Sequence, residues 1–242
     1  MNEIMLSDRL QMIASFLPEE AIFADIGSDH AYLPCYVCLN NLSAKAIAGE
    51  VNDGPYQRAK RTVESFNLMD RIDVRKGDGL SVLQEDEVAQ LVIAGMGGSL
   101  ISHILETGKD KLGSVERIIA QPNMDAMAIR KWFHLNNFEL INEKIIEEDG
   151  HIYEILIADK GIPDIPYSED FIQNEFLFGP FLLQEKSEPF KQKWVIEKEK
   201  RERAVSQMKK AKSPDYQKIS QFESEIQLIQ EVLDHGQSHS SQ

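Results

Sequence analysis

Ala21-Ile22-Phe23-Ala24-Asp25-Ile26-Gly27-Ser28-Asp29-His30-Ala31-Tyr32 is the stretch from which the fold is read. Its first six residues are a short apolar run of strand length. Gly27 then supplies a tight turn, and residues 30–39 follow with a helical pattern. The same unit recurs downstream. Strands are predicted over 44–49, 72–75, 91–94 and 117–121, and helices over 53–66, 99–106 and 125–135. Pro55 falls in the first turn of its helix, where a missing N–H is tolerated. Upstream, Leu6, Leu10, Ile13 and Leu17 share one face of a helix that Ser7 or Asp8 can cap. Residues 138–146 and 152–158 flank Glu147-Glu148-Asp149-Gly150-His151 and read as an antiparallel hairpin. Strand–helix alternation closed by a hairpin predicts an α/β fold over residues 1–160, a mostly parallel sheet with an antiparallel edge strand.

The pattern changes after Gly161. Pro163, Pro166 and Tyr167 make a connection, and helical stretches follow near 169–186, 188–212 and 214–235. In the last, Tyr216, Ile219, Phe222, Ile226, Ile229 and Leu233 recur at three- and four-residue steps, a coiled-coil-like seam. Phe190, Trp194, Arg201, Val205 and Met208 give the preceding helix a weaker stripe. We expect a helical C-terminal domain over 161–235 and a flexible tail over 236–242. Residues 191–212 carry nine basic and three acidic side chains, and the helix after them carries one Lys and five acids.

Open parallel sheets bind ligands beyond the carboxyl ends of their strands. The residues at those ends are therefore the candidates. The first strand leads into Asp25, Gly27, Ser28, Asp29 and His30. The second ends at Glu50 and Val51, where a carboxylate suits a ribose diol. The third precedes Asp78 and Gly79, where a carboxylate can accept from an adenine amino group. The fourth precedes Ala94, Gly95, Met96, Gly97 and Gly98, a turn of mostly small residues where a large ligand can lie against backbone. The fifth reaches Gln121-Pro122-Asn123. Singly, each has a plainer reading: Asp29 as a helix cap, Glu50 as a solvated strand end, Asp78 and Gly97-Gly98 as turn residues. In order, at successive strand ends, they outline a nucleotide-type pocket.

A dinucleotide fingerprint needs G-x-G-x-x-G, but Asp29 and Tyr32 stand at the later glycine positions, and a carboxylate repels a pyrophosphate. A Walker loop is absent from the sequence. A ligand with adenine, ribose and no phosphate fits better. S-adenosylmethionine is the obvious one, because its positive sulfonium tolerates an acidic loop.

With that, the chain resembles the bacterial tRNA (adenine-22-N1)-methyltransferase family, a class I S-adenosylmethionine-dependent group. The resemblance lies in Asp25-Ile26-Gly27-Ser28-Asp29-His30-Ala31-Tyr32-Leu33-Pro34, Gly49-Glu50-Val51 with Gly54-Pro55, and Gly77-Asp78-Gly79-Leu80. It continues in Ile93-Ala94-Gly95-Met96-Gly97-Gly98, Gln121-Pro122-Asn123, and Glu148-Asp149-Gly150 followed by Ile152-Tyr153-Glu154. It runs over nearly the whole chain. Asp29 stands where the wider class prefers Gly, and Gln90 where an acid often precedes the strand.

The resemblance implies a class I methyltransferase (Rossmann-like) fold, methyl transfer to N1 of a D-arm adenosine of tRNA, and C-terminal helices that help hold the tRNA. Adenine N1 has its own lone pair, so the chemistry asks for alignment and for a group that stabilises the cationic product. We expect Asp29 to do this, with Asn123 bonding the adenine edge, Pro122 flanking it, and His30 and Tyr32 steering or stacking the base. Lys209, Lys210 and Lys212 are the candidate RNA contacts, although the basic helix can equally pair with its acidic neighbour. Action on another RNA or a protein, or an inactive RNA-binding module, stays open.

Across 242 residues, 40 acids against 26 bases give a net charge of −14. Such an excess argues against a nucleic-acid partner until the charges are located. Acids at strand ends suit a cationic ligand, while bases gather in one helix and at Arg58, Lys60 and Arg61. Affinity for tRNA should then be modest and strongly salt-dependent. No apolar run approaches a membrane span, and the N-terminus lacks the basic-then-apolar order of a signal peptide. Cys35 and Cys38 form a C-x-x-C inside a predicted helix with no second pair, and read as small apolar residues. We expect a cytoplasmic protein with no metal, no membrane association and no stable protein partner.

Overall fold

The computed structural model describes residues 4–234. Seven strands form one sheet: β1 (Ile22–Ile26), β2 (Lys45–Glu50), β3 (Ile72–Lys76), β4 (Gln90–Gly97), β5 (Arg117–Met124), β6 (Phe138–Glu148) and β7 (His151–Lys160). Their order is β3-β2-β1-β4-β5-β7-β6. The first five pair in parallel, and β7 runs antiparallel to both β5 and β6. This is the expected mostly parallel sheet, with the antiparallel strand one place in from the outermost strand β6.

Helices α1 (Asp8–Ser15), α2 (Tyr32–Asn40), α3 (Asp53–Ser65), α4 (Gly98–Thr107) and α5 (Ala126–Leu135) cover the sheet. Two-residue alternation divides the apolar strand residues between two cores. Ala24, Ile26, Leu91 and Ile93 meet Ile101, Leu105, Ile129 and Phe133 on one face. Phe23, Val92 and Ile119 meet Ile13, Leu33, Cys35 and Val63 on the other. Cys35 and Cys38 are wholly buried, and burial pushes their thiols up to about 12 and about 11. Gln90 opens β4 from below, its side-chain oxygen accepting the Ile22 N–H at 3.0 Å.

Three local differences from the sequence reading have physical causes. Strand β4 continues through the residues expected as a turn, because Met96 and Gly97 still pair with β5 across two register shifts. Helix α2 starts at Tyr32, since Asp29, His30 and Ala31 all have positive φ, at 35°, 72° and 57°. The helix expected over 169–186 breaks into α6 (Ile172–Phe178) and α7 (Pro180–Glu185). Between them Gly179 has φ +91°, and a Cβ there would meet Glu143 Oε2 at 2.5 Å and Arg130 Nη2 at 2.6 Å. The backbone crosses directly over a buried ion pair, and Pro180 cannot continue the ladder.

The chain forms two compact units, one ending at Phe181 and the other starting at Leu182. The change of pattern at Gly161 is thus not where packing separates. The residues after it stay with the sheet: the Tyr167 and Phe176 rings lie 4.9 Å apart, and buried Arg130 donates to the carbonyls of Phe176 (3.1 Å) and Leu177 (3.3 Å). In the second unit, α8 (Glu188–Lys209) and α9 (Tyr216–Asp234) pair. The α9 seam begins at buried Ile219, Tyr216 being 75% exposed. Arg201 reaches Glu225 at 2.8 Å, and Lys209 reaches Glu223 at 2.6 Å. The expected tail, 236–242, lies outside the described residues. Among these residues no helix is long and apolar enough to cross a membrane.

Candidate active site

The sheet order reverses between β1 and β4, and it is beyond the carboxyl ends at such a switch point that open parallel sheets bind their ligands. Asp25 is 4% exposed, and Ser28 Oγ donates to its Oδ2 at 2.5 Å. Burial raises its carboxyl to about 7; the Ser28 bond lowers it and the nearby Glu50 charge raises it further. Glu50, buried at the end of β2, accepts the Asp29 N–H at 2.5 Å. Its pKa is also raised, mainly by burial, against the pull of that bond. The bond fastens the loop after β1 to the neighbouring strand.

That loop is strained. Three consecutive non-glycine residues in the left-handed region cost about 1–2 kcal/mol each. Such strain persists where surrounding structure enforces it, commonly at functional sites. Ala31 precedes α2 without a side-chain cap, so Asp29 is not the helix cap. Its carboxylate is 78% exposed, 3.4 Å from His30 Nε2. The His30 ring stacks on Tyr32 at 5.2 Å with a 14° interplanar angle.

Asp78 is exposed beyond β3, before a short 3₁₀ turn over Gly79–Val82. Val51 is exposed just after Glu50. Met96 leans across Gly27, where a Cβ would come within 2.2 Å of its Cε. Gly27 is therefore needed for this side chain as well as for the turn. The four small-residue positions after Ile93 divide their work. Gly95, with φ +77°, borders open space, while a Cβ on Gly98 would meet the Asp125 carbonyl oxygen at 1.9 Å.

Strand β5 contributes amides. Gln121 is fully buried, and its Oε1 accepts the Gly95 N–H at 3.0 Å. Its Nε2 donates to Asn123 Oδ1 at 3.3 Å, and Asn123 Nδ2 donates to the Gly95 carbonyl at 2.8 Å. Asn123 is exposed and Pro122 buried. Arg9, which sequence reasoning missed, also donates to Gln121 Oε1. Its partners lie more than a hundred residues away, and no local pattern marks it. Lys209, Lys210 and Lys212 are exposed in the second unit, with Lys209 engaged by Glu223.

The structure thus brings together Asp25, Gly27, Ser28, Asp29, His30, Glu50, Asp78 and the 94–97 run at adjoining strand ends. Carboxylate acceptors beside an open, glycine-edged space fit a ligand bearing hydroxyls, amino groups and positive charge. They do not fit a phosphate. S-adenosylmethionine has this chemistry.

Comparison with known proteins agrees. Residues 23–231 match the family model for tRNA (adenine(22)-N(1))-methyltransferase. The chain is 47% identical over 238 residues to the tRNA (adenine(22)-N(1))-methyltransferase of Bacillus subtilis (strain 168), covering 98% of this chain and 100% of that protein. The crystal structure of the B. subtilis M1A22 tRNA methyltransferase TrmK superposes with a TM-score of 0.90 at 45% identity, over 96% of this chain and 100% of that one. Streptococcus pneumoniae Sp1610, solved in complex with S-adenosyl-L-methionine, gives 0.83 at 42% identity, over 95% and 100%. With the acids in sequence order at the strand ends and a match along nearly its whole length, the chain belongs to the tRNA (adenine(22)-N(1))-methyltransferase family.

Proposed function

We propose that this protein transfers the methyl group of S-adenosylmethionine to N1 of adenosine 22 in the D-arm of tRNA. One observation carries the reading: acids stand at the ends of β1 and β2 and after β3 on one side of the sheet reversal, and hydrogen-bonded amides at the end of β5 on the other.

Bound S-adenosylmethionine supplies a methyl group on a positively charged sulfur. Glu50 would take its ribose hydroxyls and Asp78 its adenine amino group. Asp25, Gly27, Ser28, Asp29 and His30 would line one wall, Val51 and Gly79 the rim, and Ala94, Gly95, Met96 and Gly97 the other wall. Transfer breaks the C–S bond, forms the N1–C bond, and moves the positive charge onto the adenine. No residue need act as a base. Asp29, exposed on its strained loop, would accept from the target's N6 amino group as that charge develops. Asn123 would bond the adenine edge, and the stacked His30–Tyr32 pair offers a ring face to the base. Pro122, being buried, would support Asn123 from beneath. The target must leave its stack to arrive there. Lys210 and Lys212, exposed, and Lys209 are the proposed phosphate contacts of the helical unit. The reaction belongs in the cytoplasm, a setting that agrees with two buried free thiols.

The test is incubation with labelled S-adenosylmethionine and unmodified tRNA, followed by nucleoside analysis. N1-methyladenosine at position 22 is the expected product. Absence of label in RNA would defeat the reading.

A further inference from the structure

The side chain of Arg9 leaves α1 and reaches the end of β5, where Nη1 donates to Gln121 Oε1. The same oxygen accepts the Gly95 N–H at 3.0 Å. A guanidinium has no acceptor, and a backbone N–H can only donate, so both require an oxygen at that place. The buried Gln121 amide therefore has one orientation. Its nitrogen is directed at Asn123 Oδ1 (3.3 Å), and Asn123 in turn donates to the Gly95 carbonyl (2.8 Å). Every bond in this chain runs from donor to acceptor away from the cation. Arg9 is itself anchored. Its N–H donates to Glu148 Oε1 at 2.9 Å, its Nε lies 3.6 Å from Glu148 Oε2, and its guanidinium sits 5.1 Å over the Tyr153 ring.

We infer that Arg9 is a positioning residue for the methyl acceptor, setting through Gln121 which way the exposed Asn123 amide faces. Asn123 is left with one lone pair on its oxygen and one N–H on its nitrogen. That is the pattern with which an Asn amide reads adenine N6 and N7, and guanine, with acceptors at both places, mismatches it. Adenine held by that edge keeps N1 free for the methyl group. Without Arg9 only the Gly95 N–H and carbonyl hold the two amides in this orientation, and the edge offered to the base is fixed less firmly. The inference rests on the function proposed above.

The experiment is a double-mutant cycle on kcat for tRNA methylation, using Arg9→Ala and Asn123→Ala. Arg9→Ala should lower kcat about ten-fold alone and less than two-fold in the Asn123→Ala background, because the group it orients is then gone. Cofactor affinity should stay within about two-fold. Additive losses overturn the inference, as does an equal loss of cofactor binding. Gln121→Glu guards against simple unfolding: it keeps a partner for Arg9 and the Gly95 N–H but removes the donor to Asn123. It should retain thermal stability and lose kcat as Arg9→Ala does, and full kcat in that variant also overturns the inference. Wild-type protein that leaves tRNA unmethylated defeats the proposed function, whereas additivity in a protein that makes N1-methyladenosine defeats only the role of Arg9.

Discussion

Two regions of the molecule carry many charges and treat them in opposite ways. In the α8–α9 pair, charges answer one another: Arg201 meets Glu225 at 2.8 Å and Glu197 at 2.7 Å, and Lys209 meets Glu223 at 2.6 Å. Such partly exposed pairs contribute about 0–1 kcal/mol apiece. At the strand ends, Asp25 and Glu50 are buried with no ion pair among the described residues, held only by a hydroxyl and a backbone N–H. Burial pushes both carboxyls up. The contrast teaches that compensated charge stabilises a helix pair, whereas uncompensated charge marks a place prepared for a ligand that carries the missing sign.

The largest expected effect tests whether Asp25 is uncompensated. Its folded pKa is about 7 against 3.8 for the free group. Between those values the folded protein holds a proton that the unfolded chain has released, so this group's contribution to stability falls as pH rises from about 4 to about 7. At about 1.4 kcal/mol per pKa unit, the loss is on the order of 4 kcal/mol. Asp25→Asn should match wild type near pH 4 and be the more stable at pH 8, read by urea denaturation at both. Parallel pH profiles for the two proteins would mean the carboxyl is already neutralised, and the contrast would weaken.

Asp29→Asn comes next. It keeps the loop backbone and its bond to Glu50 but removes the exposed negative charge. Turnover should fall about 100-fold, in line with removing one preorganised electrostatic interaction, with cofactor affinity within a few-fold. Undiminished single-turnover rates would remove Asp29 from the chemistry. Glu50→Gln should behave in the opposite manner. It should weaken cofactor binding about ten-fold by calorimetry while leaving kcat intact at saturation, as expected for one or two charge-assisted hydrogen bonds.

These acids were legible in the sequence because Asp25 and Glu50 fall at the ends of short apolar runs and Asp29 follows the first within three residues, and strand ends are where such sheets bind ligands. Arg9 was not legible. Its role depends on Glu148 and Gln121, and the register that unites them is set by tertiary packing alone. The Arg130–Glu143–Glu154 cluster escaped for the same reason. Glu154, between Tyr153 and Ile155, and Glu143, between Asn142 and Lys144, both read as solvent-facing strand positions, yet Arg130 bonds them at 2.7 and 2.6 Å in the interior. This buried cluster also holds the chain to the sheet unit as far as Phe181, Arg130 through the Phe176 and Leu177 carbonyls and Glu143 through the Phe181 N–H, which is why the change of pattern at Gly161 did not mark the division. The left-handed run at Asp29-His30-Ala31 was hidden because none of the three is a glycine.

The smallest effects belong to the compensated region, and they sharpen the contrast most finely. Lys209 is already answered by Glu223, so Lys209→Ala should change stability by less than about 0.5 kcal/mol. It should leave the salt dependence of tRNA binding almost unaltered. Lys210 and Lys212 are exposed and make no ion pair with the described residues. Replacing both by Ala should flatten the slope of log affinity against log salt by roughly 0.7–0.9 for each phosphate left without its lysine. The single change removes one positive charge and the double removes two, within four positions of each other, so a general electrostatic effect would make Lys209→Ala move the slope about half as far as the double replacement. If Lys209→Ala alone flattens it at least half as much as the double replacement, its partner does not hold it, and pairing within the helical unit is not what separates structural from binding charges. If only the double replacement does so, the rule drawn from the strand ends holds in both units: the charge that binds is the one the protein leaves unanswered.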